Sequence, residues 1–326
     1  MKSMQKFVRA AVGAVGLVLA GTALADYPAK PVTLVSPYGP GGAADLAART
    51  IAGTAPAYLG QAVLVVNRTG AAGVTGSTTV AKGKPDGYTL LLARVGSQAA
   101  VPAINRKIPY TWDEFTFIGL LELNPFVLVV NADSPIQSLD DIKAAASGGE
   151  KLSYASAGVG TLLHVAMVMV LDQFGLPQDA MKHVPYKGGG KAAAAVVGGH
   201  VDMMFQNLSG VIGNIQAGKL RALAVSTPER VAAIPDVPTV AEAGFPALET
   251  VVGWSGVWGP PGMDQVAADR WIEVLGKLKD DKAWNKLTRG LGSIPSIRGP
   301  EDTKAFVENQ YEAFKTLTEK LGMTIQ

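Results

Sequence analysis

The chain has no cysteine, so no disulfide framework holds it and its stability has to come from ordinary apolar cores. Histidine is nearly as scarce, with three scattered residues and no His-x-x-x-His spacing, which argues against a metal site. A charge excess of one sign is also lacking: 29 Lys and Arg face 27 Asp and Glu. No basic stripe tracks phosphates, so nucleic acid is not an expected partner. Beyond the N-terminus, no stretch approaches the ~20 apolar residues of a spanning helix without a charge or a Pro or Gly break. Catalytic sets are missing too. Gly253-Trp254-Ser255-Gly256-Val257 fails the nucleophile elbow at its fifth position, and Gly188-Gly189-Gly190-Lys191-Ala192 lacks the Ser or Thr of a phosphate loop. The expectation is a binding protein, not an enzyme, with no cofactor and no metal.

What is present begins with Lys2, Lys6 and Arg9, an apolar run from Ala10 to Ala20, and the small-residue site Ala23-Leu24-Ala25. This is the layout of a secretory signal peptide over residues 1–25, with cleavage expected before Asp26. Its loss leaves 26 basic and 27 acidic residues, so the apparent basicity is a targeting feature. The remaining ~300 residues reach the size at which single cores give way to two domains, and two domains imply a cleft.

Short β-branched runs alternate with Ala-rich segments of helical period, the pattern of an α/β fold with mixed, mainly parallel sheets. Strands are predicted at 32–37, 62–67, 88–93, 127–131, 152–156, 203–205 and 220–226. Helices are predicted at 43–59, 74–82, 139–146, 161–174, 191–197 and 208–217. The C-terminal third reads as helices 264–278, 282–289 and 300–321 around one apolar run, 293–297.

Three glycine-rich turns join a predicted strand to a predicted helix: Ser36 to Asp45, Thr69 to Ser77, and Ser156 to Thr161. Turns of small residues at helix starts offer free N–H groups, a way to hold carboxylates without buried cations. The bland alternative is that small residues permit tight turns. The first turn also satisfies a dinucleotide fingerprint, but the next strand ends in Asn67-Arg68 and lacks the acid for a ribose. Arg94, at the end of a strand and just before Ser97, would fork onto a ligand carboxylate, or else form a salt bridge. Asp202 begins the run Met203-Met204-Phe205 and is a weaker candidate, and Tyr38, Phe205 and Trp254 would line an apolar slot for an aromatic acid.

These pieces, in order, resemble the Bug family of periplasmic solute-binding proteins of tripartite tricarboxylate transporters. The matching blocks include Pro37-Tyr38-Gly39-Pro40-Gly41-Gly42 with Asp45, Asn67-Arg68-x-Gly70-Ala71-Ala72-Gly73, and Lys84-Pro85-Asp86-Gly87-Tyr88. They continue with Ser156-Ala157-Gly158-Val159-Gly160-Thr161-x-x-His164, Val184-Pro185-Tyr186-Lys187-Gly188-Gly189-Gly190, Gly199-His200-Val201-Asp202 and Ile234-Pro235-Asp236-Val237-Pro238-Thr239. The resemblance implies a two-lobed periplasmic-binding-protein fold of type II, the Venus flytrap. It implies a first lobe of residues 26–127 plus 249–326 and a second of 128–248. It implies ligand contacts at Tyr38, Gly42, Ala71 and Ala72 in one lobe and Ser156, Gly160, Thr161 and Asp202 in the other. It further implies a monomer that delivers a dicarboxylate or an aromatic carboxylate to the large and small membrane subunits of such a transporter. A sensory module presenting its closed form to a membrane receptor is the alternative, and a periplasmic enzyme of the same shape a more remote one. Two departures stand out: Arg94-Val95 where the family generally has small residues, and Lys191 where proline often follows the glycines.

Overall fold

The computed structural model describes residues 27–323, so the expected signal peptide and its cleavage before Asp26 lie outside the described residues. Among the described residues ten strands are formed: β1 (Val32–Ser36), β2 (Val63–Asn67), β3 (Thr89–Arg94), β4 (Thr116–Asn131), β5 (Ser153–Ser156), β6 (Lys182–Pro185), β7 (Met203–Asn207), β8 (Leu220–Val225), β9 (Val252–Gly259) and β10 (Ile294–Arg298). Their order is β2-β1-β3-β9-β4-β7-β5-β6, with β8 and β10 also paired to β4. The flanks are parallel, β1 to β2 and β3 and β5 to β6 and β7, while β4 and β9 pair antiparallel with all their neighbours.

β4 belongs to two half-sheets in turn. From Thr116 to Pro125 it pairs with β9, and from Phe126 to Asn131 it pairs with β7 and β8. The change of partners falls at Pro125, which has no N–H to give to a ladder. The next N–H, of Phe126, is taken by Ser226 Oγ at 2.9 Å, and that hydroxyl donates to Val251 O at 2.6 Å. One serine therefore ties β4 to the two chain segments that flank the return crossing from β8 to β9.

Helices cover the half-sheets because their apolar positions fall on one face. In helix Ala43–Thr54 the buried residues Ala43, Ala44, Ala47, Ala48 and Ile51 follow the helical period. Helix Leu162–Phe174 is buried almost all round. Helices Gln265–Lys279 and Lys282–Gly290 bury Trp271 and Trp284 against the first half-sheet.

The predicted strands and most helices recur with end shifts of a few residues. Three features went unread. β4 starts at Thr116 rather than 127, because Gly119 and Asn124-Pro125 look like breakers. β9 carries Gly253, Gly256 and Gly259, and the structure uses them for close approach: a side chain at Gly256 would meet the Trp258 ring and one at Gly253 the Asn207 amide. β6 is a short, half-exposed strand ending in Pro185.

Candidate ligand-binding site

The carboxyl ends of β1, β3, β5, β6 and β7 meet in the groove between the half-sheets, the position at which open α/β sheets bind ligands. Three helices open onto this groove, Ala43–Thr54, Leu162–Phe174 and Gly189–Val197, and none has a side-chain cap. Their starting residues are Gly42, Thr161 and Gly188, and the Thr161 hydroxyl is turned to Gly158 O at 2.7 Å. Ser138, Asp264 and Asp281 cap other helices with side-chain oxygens, while helix Pro300–Lys320 starts at Gly299 without one. The first-turn N–H groups at the groove are left for something else.

That something would sit in an inner cavity of about 40 Å³, lined by Tyr38, Gly42, Ala43, Ala44, Arg94, Val95, Gly96, Ala157, Thr161, Leu162, Leu163, Gly189, Gln206 and Asn207. Four helical starts converge there, since the helical segment Gly96–Ala100 also begins at this wall. Arg94 is 3% exposed. Its register opposite Ser255 brings Nη1 to Ser255 Oγ and to Asn124 Oδ1 at 2.6 Å, with Glu122 Oε1 at 3.8 Å. Among the described residues, Arg94 Nε and Nη2 make no hydrogen bond to protein. Asn207 is 4% exposed and its amide nitrogen has no partner, while Gln206 Nε2 donates to Gly189 O at 3.1 Å. Burial lowers the Arg94 pKa, against the opposing pull of Glu122 and Tyr38, and a guanidinium still keeps its proton. A buried cation and the positive ends of helices together select an anion.

Tyr38 separates this cavity from an outer chamber of about 800 Å³. Its hydroxyl donates to Ala72 O at 3.0 Å, and burial raises its pKa well above that of an ordinary phenol, so it remains a neutral donor. The chamber is floored by the turn Gly70 to Gly73, where Ala71 and Ala72 hold φ of 44° and 55°. Two successive alanines in the left-handed region carry strain of about 1–2 kcal/mol each, a cost that clusters at functional sites. Asp45 anchors the first turn by accepting from Gly41 N–H at 3.0 Å, Arg49 Nε at 2.9 Å and Asn67 Nδ2 at 3.0 Å.

The two sides of the groove touch through glycine. A Cβ on Gly39 would lie 2.6 Å from Lys187 O, one on Gly188 2.9 Å from Gly39 N, and one on Gly190 2.5 Å from Pro40 O. Backbone meets backbone here, and only glycine leaves the room.

Of the sequence candidates, Tyr38, Gly42, Arg94 and Thr161 come together around the inner cavity, and Ala71, Ala72 and Gly160 line the outer chamber. Ser97 lies just behind, fully buried, with its carbonyl accepting from Tyr110. Ser156 is spent on its own turn, accepting from Gly158 N–H at 3.1 Å with His183 Nε2 at 2.6 Å. Three candidates are corrected. Asp202 stands at the amino end of β7, remote from the groove, where it accepts from Ser153 N–H at 2.7 Å and its hydroxyl at 2.6 Å. Phe205 packs edge-on against Phe126, and Trp254 lies against Trp258 and Phe306, both 0% exposed in the core. Gln206 and Asn207 were missed, although they close the same strand at its carboxyl end. His164 lines the outer chamber and stacks on His183 at 4.1 Å.

Residues 47–323 fit the family described as the tripartite tricarboxylate transporter family receptor. The chain is similar to the UPF0065 protein in the tcbD-tcbE intergenic region of Pseudomonas sp. (strain P51), 38% identical over 279 residues that span 80% of each chain. Its structure is similar to that of the periplasmic binding protein BugD, with 30% identity and a TM-score of 0.87 over 92% of this chain and 100% of that one. It is also similar to MatC from Rhodopseudomonas palustris, solved with bound malate, with 27% identity and a TM-score of 0.83 over 89% of this chain and 99% of the other.

Proposed function

The chain belongs to the tripartite tricarboxylate transporter receptor family, and from that premise we propose that its cleft captures a small organic carboxylate by lobe closure and delivers it to the membrane subunits of such a transporter. The observation that carries this reading is the inner cavity, where the unpartnered edge of buried Arg94 meets the uncapped starts of three helices. A carboxylate is the planar, bidentate anion that a guanidinium edge and converging amides fit. The malate held by MatC supports the same class. Arg94 and the first-turn amides grip the head beside Gln206 and Asn207, Tyr38 and the turns at 70–73 and 157–161 border the rest of the ligand, and the protein binds rather than transforms it.

The protein acts in the periplasm as a monomer, after cleavage before Asp26. The lobes comprise residues 26–127 plus 249–326 and residues 128–248, a division supported by the change of β4 partners at Phe126 and the tie at Ser226. Closure is a population shift driven by contacts made only in the closed state. Thermal denaturation of the mature protein against mono-, di- and tricarboxylates and aromatic acids tests this, since a bound acid raises the midpoint in step with its concentration. A protein that no acid stabilises would sink the reading.

A further inference from the structure

The two chambers differ in what they can hold. The inner cavity, about 40 Å³, has room for about one or two waters, the size of a single carboxylate group. The outer chamber, at about 800 Å³, is in the range of sites that enclose a bulky organic body. Its walls include Val74, Val101, Ile104, Ile108, Val159 and Met323. Val159, on the site turn itself, is 61% exposed and lines this chamber. Among the described residues, the basic side chains at this chamber are Lys107 and Lys187, both exposed. His164 reaches it as well, and burial lowers its pKa, so it is neutral at pH 7.

We infer that this site takes a monocarboxylate with a bulky apolar body, a ring-bearing acid, in preference to a short dicarboxylate; the inference rests on the carboxylate reading above. The head enters the inner cavity against Arg94, and the ring passes Tyr38 into the outer chamber. A second carboxylate of a short diacid would meet there, among the described residues, no buried cation, only the exposed Lys107 and Lys187 and the backbone of the turns at 70–73 and 158–160, and a charge held by those alone recovers less of its hydration than the head paired with Arg94. A ring gains by displacing water from the same walls.

Calorimetric titration of the mature protein with benzoate, phenylacetate and cyclohexanecarboxylate, against succinate, glutarate and adipate, tests this, with benzamide as the headless control. The expected result is ring monoacids at least ~tenfold tighter than the diacids, and no binding of benzamide. Val159→Lys, at an exposed position that leaves folding intact, is expected to weaken the ring acids and strengthen the diacids. A diacid that binds as tightly as the ring acids, or unchanged preferences in Val159→Lys, overturns the ring-acid inference while the carboxylate reading stands. Benzamide binding like benzoate, or no acid of either class binding, overturns the carboxylate reading and this inference with it.

Discussion

Arg94 is the residue on which the site turns. One side of its guanidinium is held by Asn124 and Ser255 and the other faces the inner cavity. Arg94→Ala should weaken a bound carboxylate by about 2 kcal/mol or more, the usual cost of removing one partner of a desolvated charge pair. Unchanged affinity by calorimetry would mean that the free edge does not meet the ligand. Acid brings two further residues into play. Burial, with His164 alongside, lowers His183 to about 4, below its unfolded value of 6.5. The unfolded chain therefore binds the extra proton first, and stability should fall as pH drops from about 6.5 towards 4, a loss that His183→Gln reduces in a melting-temperature series. Burial alone would raise Asp45, but hydrogen bonds from Arg49, Gly41 and Asn67 outweigh it and hold its pKa below the ordinary value. Its stabilisation is present above its unfolded value of 3.8 and is lost only in stronger acid, so the two windows separate. The place of Arg94 beside the inner cavity was legible because it stands at the carboxyl end of a strand. Asp202 was misread for the same reason, since it lies at the other end of its strand, and running the strand two residues past Phe205 would have found Gln206 and Asn207 instead.

At the scale of elements, the glycine turns do two jobs that sequence alone could not separate. Gly158 and Gly160 take positive φ of 134° and 78°, which a side chain resists. Gly39 and Gly190 are needed for proximity across the groove, which no local pattern reveals. Gly190→Ala should leave the helix it opens intact yet force Pro40 O away, lowering ligand affinity roughly tenfold by depleting the closed population. Gly213→Ala, where nothing lies within 4 Å of an added Cβ, is the control and should bind like the parent. Equal affinities for the two variants would show that the glycine contact is dispensable for closure. The uncapped helix starts were foreseen from small residues before helices, and their convergence needed the sheet order.

At the scale of the molecule, two lobes were legible from length, the α/β alternation and the run of matching turns. What escaped was how they are joined, because Pro125 looks like a stop and is in fact the point where one long strand changes sheets. With β4 shared, the proposed closure would bend a continuous ladder about Pro125 and Ser226. Small-angle scattering should therefore report a smaller radius of gyration with a saturating carboxylate than without, and no compaction would contradict capture by closure.

The exposed Val159 at the rim of the outer chamber has a practical consequence. In a chain without a single cysteine, Val159→Cys would create one addressable thiol, and a polarity-sensitive dye placed there would pass from water to the covered rim as ligand arrives. That one exposed position would turn the protein into an optical reporter of its own unidentified cargo.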